Sequence, residues 1–294
     1  MTTAIRRRQA TVAYLFVLPF VAVFGVFMLV PLLSSVVMSF TDFRSSDVAT
    51  PWAVNFVGVR QYTHLFADPV FRRALVNTGY FVLVGIPLTM AVALVLAMAL
   101  NTGINRFRTV FRVGFYTPVV TSVVAVAVVW RFILQPDGLV NRLLAGLGIA
   151  GPDWLHSSTW AMPSLIVMAA WRNMGTLMVI FLAGLQALPA EVGEAATADG
   201  ATAWQRFRHV TLPLLRPTLL LGAVLISVGY LQFFEEPFVM TEGGPLNSTL
   251  SATYFTYNQF GFGRYGAASA ASYVLFLVIA AVSILQFRLL RAKD

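Results

Sequence analysis

Long uncharged runs alternate with short polar connections along this chain. Val12 to Phe40, Ala74 to Leu100 and Tyr265 to Phe287 carry no Asp, Glu, Lys or Arg; nor do Val113 to Trp130 and Pro217 to Phe234. Ala161 to Leu188 is apolar apart from Arg172. A helix needs about 20 apolar residues to cross a hydrocarbon core of roughly 30 Å. The pattern therefore predicts an all-α integral membrane protein with six transmembrane helices, over about residues 12–40, 74–100, 113–134, 161–188, 217–239 and 265–287, forming one transmembrane domain from residue 12 to residue 294. Pro31, Pro87 and Pro118 fall in or near these spans and are expected to kink them. The first run is too long for the apolar stretch of about 7–15 residues in a signal peptide, so it reads as a retained helix after a basic N-terminus over residues 1–11.

Composition agrees. Hydrophobic residues make up 58% and charged residues 11%, against about 25% charged in a soluble domain. The net charge of +8 could suggest nucleic acid, but its distribution is a topology signal. With both termini in the cytoplasm, the inner connections hold Arg6, Arg7, Arg8, Arg106, Arg108, Arg112, Arg206, Arg208, Arg216, Arg288, Arg291 and Lys293. The outer connections hold Arg44, Arg60, Arg72, Arg73, Arg142 and Arg264, interspersed with six acids. Basic residues near spans are retained inside, which places residues 189–216 in the cytoplasm and residues 41–73, 135–159 and 240–264 outside. The partners implied are membrane lipid and protein, with no nucleic acid.

The inner connection EAATADGATAWQRFRHVTLP, Glu194 to Pro213, is polar between two strongly apolar runs. Ala195, Ala196 and Ala198 let a short helix approach another protein closely, with Glu191, Glu194 and Asp199 available for ion pairs. Gly200 ends or bends that helix, and Ala201 to Val210 reads as a second one with Trp204, Phe207 and Val210 on one side. Leu212 and Pro213 lead into the next span.

Charges at membrane depth face protein interiors or watery cavities. Arg172, flanked by Trp171 and Asn173, lies about 18 Å into the fourth span at 1.5 Å per residue. Glu235 and Glu236 follow Tyr230 and Gln232 at the outer end of the fifth. Aromatic faces mixed with hydrogen-bonding groups suit a polyhydroxylated ligand, so these seven residues are the candidate substrate pathway. An interhelical ion pair of Arg172 with a Glu, or contact with a partner subunit, is the alternative.

Several chemistries are excluded. There is no cysteine, and the single lysine, Lys293, leaves no GxxxxGK[ST] phosphate loop. His64, His156 and His209 are scattered over different connections, which gives no metal site. Neither HExxH nor GxSxG occurs. The sequon Asn247-Ser248-Thr249 reads as incidental.

Glu194, Ala195, Ala196, Gly200, Val210, Leu212 and Pro213 meet the EAA pattern of the coupling loop in permease subunits of ATP-driven importers, with Val210 where Ile is usual. The chain resembles, over nearly its whole length, the carbohydrate permeases of the maltose and glycerol phosphate type. AYLFVLPF, MSFTDF, FVGVRQYTHLF, FRRALVNTGYF, FLAGLQALP and VMTEGGPLNSTLSATYFTYNQFG carry the resemblance, departing at Glu242 where Gly is common. The resemblance implies the type I ABC importer permease fold in a bacterial inner membrane. It implies a second homologous permease, two copies of a cytoplasmic ATPase subunit, an extracytoplasmic solute-binding protein and a sugar-like substrate. ATP and Mg would sit in the ATPase, with no cofactor in this chain and no catalysis by it. Glu194, Ala195, Ala196, Asp199, Gly200, Leu212 and Pro213 would couple to that ATPase. The alternative is a stand-alone secondary transporter or channel. Such transporters often have repeated halves and intramembrane carboxylate relays, and that reading leaves the inner loop unexplained.

Overall fold

The computed structural model describes residues 3–50, 54–102 and 107–290. Arg106, Arg291 and Lys293, and the side chains of Arg6, Arg7, Arg8 and Arg108, lie outside the described residues. Among the described residues the chain is helical, with no strand beyond one isolated bridge between Thr41 and Phe56.

In chain order the helices are α1 (Thr3–Phe24), α2 (Val30–Ser39), α3 (Arg60–Ala67), α4 (Pro69–Thr102) and α5 (Arg108–Val120). Next come α6 (Val123–Ile133), α7 (Leu139–Gly146), α8 (Ala161–Gln186), α9 (Ala190–Ala198) and α10 (Ala203–Arg206). The last are α11 (Leu212–Leu214), α12 (Arg216–Leu231), α13 (Glu235–Met240), α14 (Ala252–Gly261) and α15 (Tyr265–Leu290). Four stretches are long and apolar enough to cross a membrane by themselves: Val12–Ser39, Pro69–Asn101, Ala161–Gln186 and Tyr265–Arg288. Two more crossings are candidates as bent pairs.

Proline explains some of the bends. α1 joins α2 through a π-helical turn at Gly25–Leu29, with Pro31 in the first turn of α2. Its missing N–H withdraws one donor from the continuous helical path there. Pro87 lies inside α4 without interrupting it. The 113–134 stretch, read above as one span, is carried by α5 and α6, bent by 99° around the extended Thr121. Pro118 withdraws a donor one turn earlier, and the hydroxyls of Thr117 and Thr121 donate back to Val113 O and Thr117 O at 2.7 and 2.9 Å. The 217–239 stretch is likewise divided. α12 ends at Leu231, and α13 begins only after the non-helical Gln232 and Phe234.

The chain forms two compact units, one of residues 1–67 with 256–274 and one of residues 68–255 with 275–294. In the first, polar bonds organise the connection after α2. The Tyr62 hydroxyl donates to Ser39 Oγ at 2.8 Å, and Gln61 Nε2 donates to Thr41 O at 2.9 Å. The Tyr273 hydroxyl donates to Leu32 O at 2.9 Å. Asp42 accepts from both the side chain and the backbone of Asn55, which hold its carboxyl below the usual range. Val12–Ser39 buries none of its most apolar window. A helix apolar and open along its length is one that lipid or another protein must cover.

The second unit is built around α8, which α4, α5, α12 and α13 all contact. Small residues permit the close crossings, as is usual where lipid tails compete equally for apolar side chains. A Cβ at Gly222 would meet the Phe181 ring at 2.6 Å, and one at Gly85 the Tyr230 ring at 2.9 Å. Phe81 stacks on Phe233 with centroids 3.9 Å apart. Buried hydrogen bonds fix the register. Tyr230 and Thr89 share one of 2.7 Å, and Gln286 Nε2 donates to Ser227 Oγ at 2.6 Å.

On α4, buried Asn77 donates to the carbonyls of Asn247 and Leu250 at 2.7 and 2.9 Å, and Thr78 Oγ1 accepts from the Ala252 N–H at 3.0 Å. Asn77→Leu would remove one donor from each of two carbonyls, leaving Asn247 O only the Leu250 N–H at 3.4 Å, and a buried carbonyl left unpaired costs about 1–3 kcal/mol. Faster hydrogen exchange at the amides of Ser248 to Leu250, with a lower thermal midpoint, is the expected result.

Candidate functional site

The inner connection folds as two helical pieces joined by a defined turn. α9 ends in a Schellman arrangement: the Ala201 N–H donates to Ala196 O and the Gly200 N–H to Thr197 O, each at 3.0 Å, with Gly200 at φ +79°. Glycine takes that left-handed position without the Cβ penalty. Thr202 then caps α10 through a capping box with Gln205. The helical path continues through a π-helical segment, Phe207–Thr211, into α11, so the second piece runs further than Ala201–Val210. Arg206 bonds the Thr197 hydroxyl, tying the second piece to the first.

Glu191, Glu194 and Asp199 are exposed, and among the described residues none of them is in an ion pair. Ala195 and Gly200 are exposed as well, while Ala196, Leu212 and Pro213 are half-buried. The loop thus offers free carboxylates and small side chains on a rigid frame. Trp204, 66% exposed, stands beside them. A cleft of about 680 Å³ separates the loop from the ends of α4 and α8, lined by Met98, Asn101 and Leu185 against Glu194, Trp204 and Phe207.

A second cavity, about 300 Å³, opens among α8, α12 and α13. Arg172, Asn173, Tyr230, Gln232, Glu235 and Glu236 all line it. Glu236 is 6% exposed, and its Oε2 has no hydrogen-bond partner; neither has Arg172 Nε. No ion pair joins Arg172 to either glutamate. Tyr230 is committed to Thr89, and Asn173 Nδ2 donates to Ala169 O at 2.9 Å. The walls therefore present guanidinium and amide donors facing carboxylate acceptors. A solute with several hydroxyls satisfies both kinds at once.

Trp171 lies elsewhere. Successive helical residues point about 100° apart, and its ring lines a different cavity, about 590 Å³, at the α5–α6 bend, with its centroid 5.7 Å from that of Trp130.

Residues 85–293 match the family model described as the binding-protein-dependent transport system inner membrane component. The chain belongs to that family. The permease is 36% identical to the lactose transport system permease protein LacF of Rhizobium radiobacter, over 99% of this chain and 98% of that one. In fold it resembles a bacterial ABC transporter involved in import of the acidic polysaccharide alginate, with a TM-score of 0.79, 24% identity and coverage of 97% of this chain and 96% of the other. It also matches the alginate transporter in complex with an alginate pentasaccharide-bound periplasmic protein, at a TM-score of 0.77 and 24% identity, covering 96% of the permease and 94% of that chain. The permease is a multi-pass membrane transport subunit and not an enzyme.

Thr176, Val123 and Phe233 are among the further residues that line the smaller cavity. Thr176 had a signal, because it sits four residues after Arg172 on the same helical face. Trp130, at the end of an uncharged run, had none.

Proposed function

We propose that this permease forms half of the translocation pathway of an ATP-driven sugar importer in a bacterial inner membrane. The observation that carries this reading is the cavity in which Arg172, Asn173, Gln232, Glu235 and Glu236 converge with unpartnered polar atoms. An exposed, conformationally fixed inner loop accompanies it. Both termini and the loop at 189–216 lie in the cytoplasm, and the two bent pairs bring the crossings to six. A second permease of similar fold completes the pathway. Of two ATPase subunits, which hold ATP and Mg, one docks against Glu194, Ala195, Ala196, Asp199 and Gly200, with Leu212 and Pro213 setting where the next span begins. A solute-binding protein delivers the sugar from outside, and the lactose and alginate importers support the carbohydrate class.

The test is ATP hydrolysis and uptake by the complex reconstituted in lipid with its binding protein, across a panel of sugars and glycerol phosphates. Stimulation by one sugar, with uptake that stops when the ATPase is left out, is expected. Uptake that continues without the ATPase would instead fit a secondary transporter. Removing a charged hydrogen-bonding group from a binding site costs about 1.5–3 kcal/mol, or roughly 10- to 100-fold. Arg172→Ala and Glu236→Ala are each expected to lower uptake by that order while the complex still assembles. Unchanged uptake would remove that residue from the pathway.

A further inference from the structure

The turn between α13 and α14 holds its backbone unusually tightly. The Ser248 N–H donates to Pro245 O at 2.9 Å, closing a four-residue turn whose central residues, Leu246 and Asn247, have φ of +52° and +57°. Two successive positive φ values are the pattern of a type I′ turn, which favours Asn, Asp and Gly. Asn247 fits that preference. Leu246 does not, since a left-handed backbone costs a residue with a Cβ about 1–2 kcal/mol.

Everything around Leu246 enforces the strained shape. Thr249 Oγ1 donates to Gly244 O at 2.9 Å, and its N–H bonds Gly243 O at 3.2 Å. Asn77 grips the carbonyls of Asn247 and Leu250 from α4. Ser248, Thr249, Leu250 and Ser251 are all buried. Leu246 alone projects, 91% exposed, above every other large apolar side chain among those described. Asn247 next to it is exposed, and so is Glu242, four residues earlier. A carboxylate and an amide exposed within six residues of chain mark an aqueous face and not one immersed in lipid.

We infer that Leu246 is an anchor by which the outer face of the permease engages its solute-binding protein. This rests on the importer reading above, which places residues 240–264 outside. A stiff, water-facing turn presenting one branched apolar side chain is pre-organised for a complementary pocket on a folded protein, because little conformational freedom remains to be lost on docking. A lipid surface needs no such rigidity. Nothing in the turn uses the side chain internally, so the strained leucine has its use outside the chain.

The test uses the whole complex in nanodiscs and titrates ATP hydrolysis with binding protein charged with whichever panel sugar stimulates it. Leu246→Asn, better suited to the left-handed turn, is expected to keep or raise the thermal midpoint and to leave hydrolysis without binding protein unchanged. It is expected to raise the half-saturating binding-protein concentration about tenfold or more. Leu246→Met should stay within about twofold of the parent. The chain has no cysteine, so Leu246→Cys gives a single site for a photocross-linker, expected to capture the binding protein when ATP and vanadate hold the assembly closed. An unchanged titration, a destabilised Leu246→Asn, or cross-linking to lipid alone overturns the assignment. A parent complex that the binding protein fails to stimulate overturns the importer reading, and the anchor with it.

Discussion

Gly175→Leu is expected to abolish folded permease. A Cβ at this position would overlap the carbonyl oxygen of Phe115 and come within 3.0 Å of Tyr116 Cα. The obstacle is the backbone of α5, which cannot turn aside as a side-chain tip can. Accommodation requires separating α5 from α8, and α8 is the helix on which α4, α12 and α13 also pack. Overpacking costs about 1–3 kcal/mol in cores that can relax, so Gly175→Ala should already lower the thermal midpoint, and leucine, with three more carbons, should prevent the crossing altogether. Gly114→Ala is the matched control. It sits beside Phe115 on the same helix, and its Cβ would meet open space. That variant should be neutral or slightly stabilising, because alanine is the better helix former by about 1 kcal/mol. The measurement is the monodisperse yield of detergent-extracted complex and its melting temperature. Normal yields of Gly175→Leu would show that the α5–α8 crossing is not needed for folding.

Gly200→Pro is expected to have the second large effect, on coupling instead of folding. Gly200 combines φ +79° with an N–H that donates to Thr197 O. Proline fixes φ near −65° and has no N–H, so both conditions fail together and the relative direction of the two helical pieces is lost. A Cβ here meets nothing within 4 Å, so the fault lies in the backbone angle and the lost hydrogen bond and not in a side-chain clash. Solute-stimulated ATP hydrolysis is expected to fall to the basal rate while the permease still folds and inserts. Gly200→Asn, tolerant of left-handed backbone, should keep most of the stimulation. Equal activity in Gly200→Pro would mean that the geometry of this turn does not transmit ATPase movement.

The sequence made the apolar runs and the two polar constellations legible, because charge exclusion and charge placement are strong signals in a membrane chain. Arg172 stood out as a charge inside an apolar run, and Glu235 and Glu236 as a pair at the end of one. Their convergence on one cavity depended on how α8, α12 and α13 cross, which spacing along the chain does not encode. Trp171 shows the limit. Adjacency to Arg172 grouped the two residues, while helical geometry sends their side chains into different cavities. Pro118 signalled a kink near Thr121 but not the size of the bend, and the break at Gln232 was hidden. Ser122 starts α6 without a side-chain cap, and α12 stops at a glutamine instead of a glycine. The start of α6 and the end of α12 therefore carry no local cap or stop residue of the usual kind. Gly175 was equally silent, since a glycine in an apolar helix reads as loosely tolerated until the neighbour facing it is known.

The bend of 67° between the 203–214 path and α12 has a mechanical consequence. It turns at Leu215, which is fully buried and sits against the site where Gly184 leaves room. About this joint the 203–214 path is the shorter arm and α12 the longer. α12 runs 16 residues beyond it, about 24 Å at 1.5 Å per residue. A tilt of about 10° around Leu215 sweeps the far end, where Tyr230 and the Gln232 break border the cavity, by about 4 Å on that helical rise. A small rotation of the inner loop is geared up into a displacement as wide as a hydroxyl-bearing ring is thick.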